Sequence, residues 1–153
     1  MDYTITIKEL PSQVIAGSRL TVPPAEIGQH FGREMGRIMG LLGRLGVACV
    51  GAPVCLYYSY DEEAVDMEVG VPVSGTFAEA EGVHATELPA GSAAVTTHVG
   101  PYEQLGGAWG ALMGWVQSHG HEQAGPCWES YTVDPGEVRD PAKFITELYC
   151  MVK

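Results

Sequence analysis

Two glutamates stand in strand-like segments whose other residues are mostly apolar, and these side chains are the best placed for chemistry. Glu129 shares one face of an alternating segment with Cys127, Tyr131 and Val133. Glu147 lies in a second segment whose two faces are both mostly apolar, a pattern typical of a covered central strand. Burying an unpaired carboxylate costs several kcal/mol. Each of these groups therefore needs an internal partner or a ligand.

Internal cationic partners are scarce in this chain. It carries 8 Lys and Arg against 19 Asp and Glu, and Lys143 and Arg139 stand in loop-like context. We therefore expect both Glu129 and Glu147 to contact a ligand, with hydrogen bonds to a backbone turn or a basic side chain as the alternative. A largely dehydrated Glu129 would also suit a hydrolase, because such a carboxyl can protonate a leaving group or activate water.

A third strand glutamate receives the opposite interpretation. Glu68 alternates with Met67, Val69 and Val71, which form the apolar row of their segment. We expect Glu68 to be solvated.

Charge and motifs argue against several other functions. The formal charge of −11 disfavours direct nucleic-acid binding and favours cations. His119 and His121 lack the spacing of a metal site, and no motif predicts a cofactor. No apolar run reaches the roughly 20 residues that a membrane span needs. The expected partner is a small molecule.

The cysteines and the N-terminus indicate a cytoplasmic protein. The four cysteines contain no C-x-x-C pair, and we expect them to be reduced and buried. The first residues, Met1-Asp2-Tyr3-Thr4-Ile5, do not resemble a signal peptide.

The sequence contains an internal duplication. Residues 7–11 recur as residues 85–89, and the matches continue along both halves. Each half reads as strand, strand, helix, strand, strand, which predicts an α+β fold. We expect one domain of 153 residues, with repeat one at 3–74, a connector at 75–82 and repeat two at 83–153.

The periodicities place the individual elements. Helices are predicted to begin at Pro23 and after Gly100 and to end at Gly46 and Gly120. Both predicted helices are rich in glycine, which we attribute to close approach of a sheet or a second helix. Strands are predicted at 3–10, 14–22, 54–60, 65–73, 84–88, 92–99, 127–133 and 144–152.

Three short motifs stand out: Gly100-Pro101-Tyr102, the segment 129–135 (Glu-Ser-Tyr-Thr-Val-Asp-Pro) and the segment 146–149 (Thr-Glu-Leu-Tyr). Together they resemble the GyrI-like, or AraC effector-binding, family of multidrug-sensing domains of the SHS2 type. The resemblance covers nearly the whole chain. It implies two pseudo-twofold strand–helix–strand–strand modules that form an antiparallel sheet with flanking helices and a central ligand cleft.

The resemblance also implies a ligand site. Its cleft is lined by aromatic side chains around acidic ones and accepts bulky, often cationic, planar compounds. Carried onto this chain, the ligand-binding residues are Glu129, Glu147, Tyr149, Tyr131, Trp109, Tyr102 and Phe31.

Three functions follow from these expectations. The first is a stand-alone binding module for amphipathic, cationic, aromatic small molecules, since no helix-turn-helix pattern is present. The second is a hydrolase of cyclopropanoid-type electrophiles that uses Glu129. The third is a protein-interaction module like the gyrase inhibitor, with a regulator or gyrase as partner.

Overall fold

The structure is a computed structural model that describes residues 3–133 and 136–153. The predictions that fall on Met1, Asp2, Asp134 and Pro135 lie outside these residues. Within them, the elements in chain order are β1 (Thr6–Leu10), β2 (Gln13–Val22), α1 (Ile27–Leu45), β3 (Val54–Tyr60), β4 (Val65–Pro72), β5 (His84–Leu88), β6 (Gly91–Val99), α2 (Leu105–Ser118), β7 (Gln123–Val133) and β8 (Ile145–Val152).

The predicted starts and ends of the helices reflect local chemistry. Pro23 and Pro101 are extended, and each precedes a single 3-10 turn that leads into its helix. Proline suits such a position because it has no amide hydrogen to leave unbonded. Gly46 ends α1 in the left-handed conformation at φ 69°, where a residue without a Cβ is favoured.

The elements form two compact units. The first, called the split unit, contains residues 1–11 and 90–153. Its strands are antiparallel in the order β1-β6-β8-β7, and α2 covers one face. The core under the helix consists of Ala94, Leu105, Ala108, Leu112, Val116, Leu148, Cys150 and Val152.

The second, called the continuous unit, contains residues 12–89. Its strands are antiparallel in the order β3-β4-β2-β5, and α1 packs on β2 and β4. A buried carboxylate anchors the helix: Glu34 accepts hydrogen bonds from Ser18 Oγ and Arg37 Nη2, both at 2.6 Å. The bond from Arg37, followed by that from Ser18, lowers the pKa of Glu34 although burial opposes the shift.

The two units repeat one topology, and the predicted α+β class is confirmed. Equivalent strands occupy equivalent places in each sheet, but the first strand of each half is exchanged. β1 pairs with β6 of the later half, whereas β5 pairs with β2 of the earlier half. The duplication is therefore visible in the fold, and each unit takes one strand from the other half of the sequence.

Two expectations, about the cysteines and about the helical glycines, are wrong. Cys49 is exposed and Cys127 is half-buried, whereas both were expected to be buried. The helical glycines do not serve close packing, because an added Cβ would meet nothing within 4 Å at Gly28, Gly32, Gly36, Gly40, Gly106, Gly107, Gly110 or Gly114. They lie on open helix surface.

Neither helix in the described residues has the length and apolarity that crossing a bilayer requires.

The open surface around Gly36 predicts a stabilising substitution. Alanine fits there without a clash and restricts the unfolded chain, so Gly36→Ala should raise the free energy of unfolding by about 0.4–1 kcal/mol. Urea unfolding measures the change. Gly46→Ala is the matched control and should be destabilising, because position 46 has a positive φ. A loss of stability in Gly36→Ala would restore the close-packing explanation.

Candidate functional site

Glu129 is a buried carboxylate held by two neutral donors. It lies in β7 with 4% of its surface exposed, and its cross-strand neighbour on β8 is Leu148. Trp109 Nε1 donates to Oε2 at 2.6 Å, and the hydroxyl of Tyr131 donates to Oε1 at 2.6 Å. Both donors orient the carboxylate, and neither brings a positive charge to it.

The helix and the strand position these donors in different ways. Trp109 projects from α2 next to Ala108, which packs in the core beneath the helix. Tyr131 follows Glu129 by two residues on the same strand, so the two side chains share a face. Glu129 therefore lies on the side of the sheet that α2 covers.

Aromatic side chains extend the same cluster. The ring of Tyr102 meets Tyr131 edge-on at 5.6 Å and stacks on Phe144 at 5.0 Å, measured between centroids. Such pairs add stability beyond the area they bury. The structure thus brings together four of the predicted ligand-binding residues, Glu129, Tyr131, Trp109 and Tyr102, on the helix side of the split unit.

Glu147 and Tyr149 lie on the opposite face of that sheet. The register pairs Glu147 with Ser130 and Tyr149 with Trp128, and these partners alternate with Glu129 along β7. The Tyr149 hydroxyl donates to Glu147 Oε2 at 2.5 Å. The two predicted glutamates are therefore separated by the sheet.

Trp128, which was not among the predicted ligand-binding residues, lies on the same face of the sheet as Glu147 and Tyr149. Its ring stacks on Tyr149 with centroids 5.1 Å apart and planes 9° from parallel. Trp128 is buried, whereas Glu147 and Tyr149 are both half-buried. The result is a flat aromatic pair beside a carboxylate that is still partly open to solvent.

The hydroxyl of Tyr149 is a stable hydrogen-bond donor to Glu147. Burial and then the hydrogen bond to Glu147 raise the pKa of Tyr149 above its usual value. The hydroxyl therefore remains protonated near neutral pH. Glu147 is oriented by a donor that leaves its negative charge in place.

Two further residues complete the comparison with the sequence. Phe31 lies on α1 in the continuous unit and is half-buried. Glu68, expected to be solvated, is only 2% exposed, and that prediction is wrong. Both faces of β4 are buried, so the apolar row formed by its neighbours did not imply a wet opposite face.

Sequence reasoning missed Trp128 for a related reason. Alternation alone assigns Trp128 and Glu129 to opposite faces, but it does not say which residues of β8 lie beside each of them. Only the pairing register shows that Trp128 and Glu147 share a face. The local signal was an aromatic residue next to a strand glutamate.

Comparison with known proteins identifies the family that the chain matches. The model of the GyrI-like small molecule binding domain matches residues 3–153. No curated protein shows significant sequence similarity to the chain.

Solved structures share the whole fold. The crystal structure of the EcmrR C-terminal domain is 25% identical and has a TM-score of 0.90, covering 100% of this chain and 99% of that one. In the EcmrR–DNA complex the identity is 24%, the TM-score is 0.89 and the coverage is 99% of this chain and 57% of that one. The present chain thus spans little more than half of EcmrR in that complex.

More distant structures have other descriptions. SAV2435 bound to tetraphenylphosphonium is 15% identical, with a TM-score of 0.63 over 100% of this chain and 94% of that one. A hydrolase from Listeria innocua is 13% identical, with a TM-score of 0.69 over 97% and 91% of the two chains. At these identities the likeness concerns the fold alone.

The two carboxylates of the split unit should differ in their effect on stability. Glu129→Gln replaces a buried, charged acceptor of two hydrogen bonds and should lower the free energy of unfolding by about 1–3 kcal/mol. Glu147→Gln changes a half-buried group and should lower the free energy of unfolding by a smaller amount. Urea unfolding gives both values, with exposed Glu103→Gln as the control. Equal small losses for Glu129→Gln and Glu103→Gln would contradict the anchoring role of Glu129.

Proposed function

Because the chain belongs to the family of GyrI-like small molecule binding domains, we propose that it binds amphipathic organic cations that carry an aromatic group. The observation that carries this proposal is the parallel stack of Trp128 on Tyr149 beside the Glu147 carboxylate. All three side chains lie on the face of the split unit that is turned away from α2.

The physical basis is a combination of ring contact and charge. The faces of aromatic rings attract cations, and such contacts contribute about 0.5–2 kcal/mol. A half-buried carboxylate adds a directed negative charge in a partly dehydrated setting, where charge interactions are stronger than in bulk water. The formal charge of −11 on the chain further favours cationic over anionic ligands.

Glu129 has a supporting role in this proposal. Its hydrogen bonds fix Trp109 and Tyr131 on the helix side, where Tyr102 completes an aromatic wall. A ligand that reaches this side would meet an oriented carboxylate among three aromatic rings. Phe31 remains a predicted ligand-binding residue, and it lies on α1 of the continuous unit.

Tetraphenylphosphonium is a suitable first probe, since SAV2435, which has the same fold, is bound to it. It is a bulky aromatic cation, and triphenylphosphine oxide is a neutral compound of similar shape. Calorimetry should show that Glu147→Gln weakens binding of the cation about tenfold or more, because about 1.4 kcal/mol of charge interaction is lost. Binding of the neutral compound should change less than about twofold.

Two further variants make the result specific. Trp128→Leu should weaken both compounds, because it removes the ring that supports Tyr149 from behind and leaves the charge in place. Exposed Glu103→Gln in the same unit controls for net charge. Equal losses of the cation and the neutral compound in Glu147→Gln would exclude the charge role. A large loss confined to Glu129→Gln would move the site to the helix side.

The hydrolase alternative makes a separate claim about Glu129. A carboxylate held by two donors is well oriented to transfer a proton. Turnover of an electrophilic cyclopropane compound by the wild-type chain, abolished in Glu129→Ala, would establish a reaction. Binding without turnover supports the proposed binding function.

A further inference from the structure

Two cysteines of the split unit face each other across neighbouring strands. The register of β7 and β8 pairs Cys127 directly with Cys150. Cys150 belongs to the core beneath α2, and Cys127 packs against that core, so both side chains lie on the helix side of the sheet. The sequence has no C-x-x-C motif and did not indicate this pair, which only the strand register brings together.

The spacing of paired strands suits a disulfide. Directly opposed residues of antiparallel strands have Cα atoms about 4.5 or 5.5 Å apart. A disulfide joins residues whose Cα atoms are about 4.4–6.8 Å apart. Both spacings fall within that range, so a bond between Cys127 and Cys150 requires no rearrangement of the sheet.

The two thiols already interact as free cysteines. A hydrogen bond between them, donated by Cys127, raises the pKa of Cys127 and lowers the pKa of Cys150, while burial adds to the first shift and opposes the second. The pair therefore loses a first proton more easily than a second, because the remaining S–H stabilises the thiolate. A thiolate beside a second cysteine sulfur is the arrangement from which disulfides form.

One of the two sulfurs is accessible, and its strand has local freedom. Cys127 is half-buried, whereas Cys150 is fully buried. The register shifts between Gln123 and Cys127, so residues 124–126 leave the regular ladder just before the accessible cysteine. An irregularity of this kind bends a strand and lets Cys127 adjust towards its partner.

The other two cysteines lack this arrangement. Cys49 is exposed and pairs with Val73, and Cys55 is buried and pairs with Val69. Both lie in the continuous unit. They serve as internal references for the behaviour of a cysteine that has no second cysteine opposite it in the register.

We propose that Cys127 and Cys150 form a reversible cross-strand disulfide when the chain meets a peroxide. The Cys127 sulfur attacks one oxygen of hydrogen peroxide, the O–O bond breaks, and hydroxide leaves with the thiol proton as water. The Cys150 sulfur then attacks the sulfenic acid formed at Cys127, the S–O bond breaks, and hydroxide leaves with the Cys150 proton as a second water. The two thiols are oxidised and the peroxide is reduced, and a dithiol reductant restores both thiols.

The disulfide would lie close to the candidate functional site. Glu129 follows Cys127 by two residues and shares its face of β7. A bond to Cys150 ties this part of β7 to β8 and restricts the strand that carries both Glu129 and Trp128. The inference goes beyond the proposed function, since it concerns a covalent modification and not a ligand.

The test treats the folded wild-type chain with a small excess of hydrogen peroxide, blocks the remaining thiols with iodoacetamide and maps linked peptides by mass spectrometry. The expected link within the chain joins Cys127 to Cys150, and dithiothreitol should remove it. Oxidation in urea is the unfolded reference. It should form the Cys127–Cys150 link at least about tenfold more slowly, because the sheet no longer holds the two sulfurs together.

Two variants test the residues. Cys49→Ser removes the exposed thiol, excludes links between chains through it, and should leave formation of the Cys127–Cys150 link unchanged. Cys150→Ala removes the sulfur that attacks the sulfenic acid, so labelling of Cys127 by dimedone should rise at least about tenfold over wild type. Far-UV circular dichroism confirms that each variant is folded.

Two results would overturn the proposal. One is a folded wild-type chain in which Cys127 stays a thiol or proceeds to sulfinic acid without a link to Cys150. The other is an equal rate of linkage in native buffer and in urea, since the link would then owe nothing to the fold. Both measurements use the wild-type chain without ligand, so they stand whether or not the chain binds tetraphenylphosphonium.

Discussion

The structure depends on carboxylates that are placed within strands and held by tyrosine hydroxyls. Glu68, Glu129 and Glu147 each accept a hydrogen bond from a tyrosine, at 2.6, 2.6 and 2.5 Å. A phenol orients a carboxylate and satisfies one of its oxygens without cancelling its charge. Arginine does the opposite in this chain, where it pairs with Asp66 and Glu34 and neutralises them. The tyrosine hydroxyls therefore orient these three glutamates without themselves bringing a positive charge.

The sequence was sufficient for the elements because each is specified locally. Alternation located the strands, and proline and glycine located the ends of the helices, as at Pro23 and Gly46. The duplication also predicted the repeated topology. It could not predict that the first strand of each half is exchanged, because β1 and β5 have similar sequences and each would fit either sheet. Pairing between distant segments decides that point.

The candidate site was harder to predict, since it depends on register and on which faces are covered. Glu129 was correctly expected to be buried, because it stands in an apolar row. The separation of Glu129 from Glu147 follows from the pairing of Glu147 with Ser130, which no single strand reveals. Glu68 was misassigned because β4 is covered on both faces, and the space for its carboxylate comes from Gly17 on a neighbouring strand.

The duplication gives each unit a tyrosine-held glutamate at the same place, and the surroundings then make the two different. Glu147 stands beside the flat stack of Trp128 and Tyr149, which suits the face of a large ring. Glu68 stands over Gly17 and beside His84, whose Nε2 lies 2.8 Å from Oε2, so its setting is narrow. The repeat thus keeps a carboxylate at the equivalent strand position of both units, while the side chains around it differ: an aromatic stack beside Glu147, and an imidazole and a glycine beside Glu68.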